Sequence, residues 1–169
     1  NLKIIDVKKV PIHSGSLRVV TTKDTSEPKK EIVDNLIEIE KDYKDLSKFS
    51  SKISFALNDL GAQLGYIEEK GKKVAGYGAS GRANVLTSTK NWDTNNLMYI
   101  IDESPERYGR YTSNGKIPIY PPEFLESDPP DYILILAWNF ADMIIEKTKH
   151  LGIPYIVPFP EVKYIKHEK

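Results

Sequence analysis

Lys73-Val74-Ala75-Gly76-Tyr77-Gly78-Ala79-Ser80-Gly81-Arg82-Ala83-Asn84 decides the reading of this chain: an apolar strand pattern runs into Gly76, Gly78 and Gly81 in G-x-G-x-x-G spacing, and a helical pattern starts where they stop. Glycine at such a turn lets a phosphate approach the backbone, and the free amides and dipole of the following helix favour an anion there. Ser80, Arg82 and Asn84 add polar and charged side chains around that phosphate position. A competing reading gives the glycines only close helix–strand packing and makes Arg82 a solvated surface charge.

Downstream, strand and helix patterns alternate. Strands are expected at 73–78, 97–102, 131–137 and 154–158, with a weaker one at 116–120, and helices at 81–91, 122–127 and 139–150. This alternation predicts an α/β, Rossmann-like, mostly parallel sheet with helices on both faces. Pro158-Phe159-Pro160-Glu161 is expected to end the final strand, since two prolines remove ladder donors. Asp102 closes Ile100-Ile101-Asp102, where an acidic residue in this fold often accepts hydrogen bonds from a ribose hydroxyl; capping a turn is its alternative role.

Two further groups fall at the carboxyl ends of strands, the edge where open α/β sheets bind ligands. In Tyr108-Gly109-Arg110-Tyr111-Thr112-Ser113-Asn114-Gly115, Tyr111 can stack on a base or sugar and Arg110 can meet a diphosphate, unless the segment is a plain turn with exposed tyrosines. In Ala137-Trp138-Asn139-Phe140, Trp138 is a ligand-crevice or core residue and Asn139 a crevice residue or the cap of the next helix. Gly152 is placed to close that helix.

Upstream, residues 3–12 and 17–23 read as two strands of a β-hairpin around His13-Ser14-Gly15-Ser16, too small to be stable without a neighbour. From Pro28 to Gly71 follows a long helical segment, with a packing stripe through Ile32, Leu36, Ile39, Tyr43, Leu46, Phe49, Ile53, Ala56 and Leu60 and a break near 45–50. Three parts are therefore expected: hairpin 1–27, helical linker 28–71 and Rossmann-like domain 72–169. His13 with Ser14 is better read as a turn than as a nucleophilic pair, because a nucleophilic serine needs an oriented base and an oxyanion hole. His13 is the sole, weak catalytic candidate.

The chain has 24 Lys plus Arg against 24 Asp plus Glu, so no excess charge draws it to nucleic acid or an anionic membrane. The absence of cysteine excludes a disulfide framework, a thiolate nucleophile and a Cys-ligated zinc, and three scattered histidines make a poor metal site. Apolar runs such as Tyr132 to Trp138 are far too short for a membrane-spanning helix, and the charged start is no signal peptide; a soluble, cytoplasmic protein is expected. The first residue, Asn1, leads directly into a strand-like pattern, which suggests a fragment of a longer chain.

Taken in order, Gly76-Tyr77-Gly78-Ala79-Ser80-Gly81-Arg82-Ala83-Asn84, Ile100-Ile101-Asp102, Gly109-Arg110-Tyr111, Ile117-Pro118-Ile119, Pro130-Asp131-Tyr132, Leu136-Ala137-Trp138-Asn139-Phe140 and Val157-Pro158-Phe159-Pro160-Glu161 resemble the C-terminal domain of sugar C-methyltransferases, which methylate ring carbons of nucleotide-linked deoxysugars. Pro11-Ile12-His13-Ser14-Gly15-Ser16-Leu17-Arg18 resembles the family's His-Gly-Gly-Ser-Leu-Arg turn, with Ser14 where glycine is common. Gly81 is not a regular family feature. The resemblance implies a three-part enzyme: a zinc-binding N-terminal domain, a central domain that binds S-adenosylmethionine, and this domain, which helps enclose the sugar nucleotide. With no cysteine and no Tyr-His-Glu-His segment, the first two parts are missing here. The expected ligand is a nucleotide-linked sugar, a thymidine-diphosphate keto-deoxysugar, and S-adenosylmethionine serves the full-length enzyme without binding this chain tightly. The alternatives are a NAD-binding domain of an oxidoreductase, built on the glycine loop and Asp102, and a non-catalytic interdomain scaffold.

Overall fold

The computed structural model describes residues 1–12, 15–41 and 46–166, so His13, Ser14 and Tyr43 lie outside the described residues. The chain divides into two compact units, Asn1–Lys52 and Ile53–Lys169.

In the first unit, β1 (Lys3–Val10) and β2 (Ser16–Thr22) form the expected antiparallel hairpin, with a register shift between Ile4 and Asp6. Helix α1 (Glu31–Lys41) is tied to β1 by the Lys30 amide, which donates to Ile5 O at 2.9 Å, and by a 2.5 Å ion pair between Lys30 Nζ and Asp6 Oδ2. Val33 is the one buried apolar residue of this unit among the described residues.

The long α2 (Ser47–Glu69) ends at a turn where the Gly71 amide donates to Glu68 O at 2.8 Å. The anticipated packing stripe is only partly buried. Ile32, Ile39, Leu46, Phe49 and Ile53 are exposed, and burial sets in at Leu60, Leu64 and Ile67, whose spacing aligns them on one helix face against the sheet. Periodicity marks which side of a helix is apolar, but whether that side is covered depends on what stands opposite it.

The second unit is a six-stranded sheet in the order β5-β4-β3-β6-β7-β8. It comprises β3 (Val74–Tyr77), β4 (Ile100–Ile101), β5 (Ile119–Tyr120), β6 (Tyr132–Ile135), β7 (Tyr155–Val157) and β8 (Lys163–Ile165). Neighbours from β5 to β7 run parallel, and β8 pairs antiparallel with β7. Alternation along the strands sorts the core into two layers. Val74, Ile100, Leu134 and Leu136 face α2 and α3 (Gly81–Thr89), while Ala75, Tyr77, Ile101, Ile133 and Ile135 face α4 (Phe124–Ser127) and α5 (Ala141–Thr148). Cover on both faces explains why these strands read as unbroken apolar runs.

Two expectations are corrected. The strand before Pro158 is not the last: after Glu161 the chain returns as β8, a three-residue edge strand rich in charge and lacking an apolar run to announce it. The helix at 139–150 is α5 flanked by 3₁₀ turns at Trp138–Phe140 and Lys149–Leu151. Asn139 therefore sits inside the first turn and Phe140 takes the cap position of α5. Gly152, in a left-handed conformation (φ 66°), closes the far end as expected.

Candidate functional site

The glycine loop joins β3 to α3 at the sheet's centre, where the strand order reverses between β3 and β6. Gly76 and Gly78 are spent on packing. A Cβ on Gly76 would lie 2.7 Å from Leu136 Cδ1, and one on Gly78 would lie 2.5 Å from Ala137 Cβ, while Gly78 also holds φ +97°. At Gly78 the positive φ and the Ala137 backbone just after β6 leave room for glycine alone, whereas at Gly76 the obstacle is the end of the Leu136 side chain. Gly81 meets nothing within 4 Å. Ser80 caps α3, its Oγ accepting from the Ala83 amide at 3.4 Å, while Gly81 and Arg82 head the helix with amides that have no intrahelical carbonyl to bond.

Asp102 is turned inward, its side chain 7% exposed. Its Oδ2 accepts from the Ala79 amide at 2.7 Å and from Arg107 at 2.8 Å, and its Oδ1 accepts from the Ser104 amide at 2.9 Å. The carboxylate thus neutralises one amide of the glycine loop from within and locks that loop to the end of β4. Arg107 escaped sequence reasoning; its signal was an arginine one short turn after Ile-Ile-Asp.

Arg82 lies over the indole of Trp138, 5.4 Å from the ring centroid, and Trp138 meets Phe159 at 4.8 Å between ring centroids. This cation–indole–phenyl row joins the start of α3 to the ends of β6 and β7. In the sequence Phe159 is part of a strand stop, and its available sign is an aromatic between two prolines at a carboxyl strand end. Asn84 acts as a strut, its Oδ1 accepting from the Ser113 amide at 3.2 Å, and Ser88 Oγ lies 3.1 Å from Ser113 Oγ.

Arg110 and Tyr111 are exposed on a return that pairs back on β5: the Gly109 amide donates to Ile119 O at 3.0 Å and the Ile119 amide to Arg110 O at 2.8 Å. Among the described residues, no ring or ion contact joins these two to the Arg82–Trp138 pair. The structure therefore brings together Ser80, Arg82, Asn84 and Trp138 around the α3 terminus, with Asn139 in the turn after Trp138, and sets Arg110 and Tyr111 apart.

A parallel sheet with strand order reversing at a glycine loop defines a Rossmann-type α/β domain. Residues 11–160 match the family of C-methyltransferase C-terminal domains, and the chain belongs to that family. It is 27% identical over 179 residues to C-methyltransferase NovU of Streptomyces niveus. That alignment covers 99% of this chain and 42% of the relative, so the chain spans about two fifths of the length of the curated relative it matches. The oxidoreductase alternative is not favoured by this membership. Among the described residues no helix is long and apolar enough to cross a membrane.

Proposed function

We propose that this domain contributes the nucleotide-sugar site of an S-adenosylmethionine-dependent sugar C-methyltransferase and leaves the methyl donor to another part of the enzyme. The observation that carries the reading is the inward turn of Asp102. In a Rossmann-type NAD site an acidic group at the end of the second strand bonds the ribose hydroxyls. Here that carboxylate is occupied by Ala79, Ser104 and Arg107. Those bonds draw the carboxylate into the loop rather than toward a cofactor ribose, and no step of methyl transfer is assigned to these residues.

What stays open at the same edge suits a diphosphate. The Gly81 and Arg82 amides and the Arg82 guanidinium supply donors, Trp138 with Phe159 forms an aromatic wall, and Ser80 and Asn84 hold α3 and its neighbouring loop in place. Arg110 and Tyr111, exposed on the return beside β5 and apart from this group, are the proposed contacts for the sugar or base. A thymidine-diphosphate keto-deoxysugar is the proposed ligand, and the remaining domains of the enzyme are the proposed partners.

Calorimetric titration of the chain with thymidine diphosphate, S-adenosylmethionine and NAD tests this. Saturable binding of the diphosphate alone, weakened about tenfold by Arg82→Ala, is the expected result, since a charge-assisted hydrogen bond contributes about 1.5–3 kcal/mol. Tight binding of NAD would turn the assignment to an oxidoreductase, and silence from all three would leave the scaffold reading.

A further inference from the structure

On the α4/α5 face of the sheet lies a concavity of about 430 Å³ whose walls include Tyr77, Glu103, Tyr108, Glu123, Glu126 and Lys147. Its lining residues are a different set from the Arg82–Trp138 row. We propose that it binds a small organic cation, a primary ammonium carried on an apolar ring or short chain.

The size is that of a small-molecule site, and the walls sit just beyond the carboxyl ends of β3, β4 and β5. Charge decides the ligand class. Lys147 Nζ donates to both oxygens of Glu103, at 2.8 and 2.7 Å, so its charge is met within the wall. Tyr77 donates its hydroxyl to the same Glu103 Oε1 at 3.1 Å. Glu123 and Glu126, both exposed at its rim and with the imidazole of His150 3.9 Å from Glu126, then leave the concavity anionic, which disfavours a phosphate or carboxylate guest. An ammonium guest gains both carboxylates and the partly exposed ring of Tyr108. The surroundings of the two tyrosines agree: burial first, then Glu103, pushes the Tyr77 phenol up, and burial first, then Glu123, pushes that of Tyr108 up. The Lys147–Glu103–Tyr77 group is an internal instance of the same recognition, an alkylammonium seated on a carboxylate that a phenol also holds.

The test is a ¹⁵N-resolved titration of the whole chain with cyclohexylammonium, cyclohexanol and cyclohexanecarboxylate, each with and without thymidine diphosphate. Saturable shifts for the ammonium alone are expected, confined to amides of the wall and unchanged by the diphosphate. The double variant Glu123→Gln/Glu126→Gln is expected to weaken them about fivefold, in keeping with two exposed ion pairs, while spectra elsewhere stay the same. An equal response to cyclohexanol, a response to the carboxylate, or undiminished affinity in the double variant would overturn the proposal. Competition by thymidine diphosphate would also overturn it, by making the concavity part of the nucleotide site.

Discussion

The hairpin–helix unit and the sheet unit are built from similarly apolar strands, yet they bury them differently. In the first, Leu17, Val19 and Val20 on β2 are 47%, 46% and 38% exposed, and order rests on backbone pairing, Val33 and ties such as Lys3 Nζ to Thr25 O at 2.8 Å. In the second, Ile133, Leu134 and Ile135 are 0% exposed because helices cover both faces. A two-stranded ribbon has no second layer of its own, whereas the six-stranded sheet carries a core on each side. The contrast bears on function: the glycine loop, Asp102 and Trp138 all rest on the unit whose core fixes their positions.

Several substitutions would sharpen or break that comparison. Leu134→Ala should have the largest effect, a loss of about 3 kcal/mol in denaturant unfolding of the sheet unit, because it opens a cavity between β6 and the α2/α3 layer. A loss below about 1 kcal/mol there would mean that the sheet core is loosely packed. Gly78→Ala should cost about 2 kcal/mol, combining a positive φ with a Cβ driven into Ala137, and should also weaken thymidine diphosphate binding by displacing the α3 terminus.

A smaller effect is expected at Asp131, whose carboxyl is held below the ordinary aspartate value of about 3.9, chiefly by Lys72 and next by the Lys73 amide. A depressed folded-state value contributes stability that is complete above the unfolded value and lost as pH falls through the folded one. Acid unfolding of Asp131→Asn should therefore show a shallower loss of stability below pH of about 4, and an unchanged slope would remove this pair from the acid response. At the bottom of the scale, Phe55→Ala, at a side chain 75% exposed, should change stability by less than about 0.5 kcal/mol. A larger loss would show that this part of α2 is covered in solution.

The sequence by itself determined the α/β class, the parallel strands, the hairpin and the place of the glycine loop, because these follow from local periodicity and from residues whose backbone preferences act over a few positions. Gly71 and Gly152 ended helices where expected for the same reason. Other features came only from the tertiary structure. Asp102 has the type and position of a ribose acceptor, and it became an internal clamp because the Ala79 amide and Arg107 arrive from segments 23 and 5 residues away. Phe159 joined the Arg82–Trp138 row, and β8 formed from a charged stretch, only once distant strands were aligned. The spacing of glycines announces a loop that can face a ligand, but which of its amides remain free is decided by the partners that the fold brings to it.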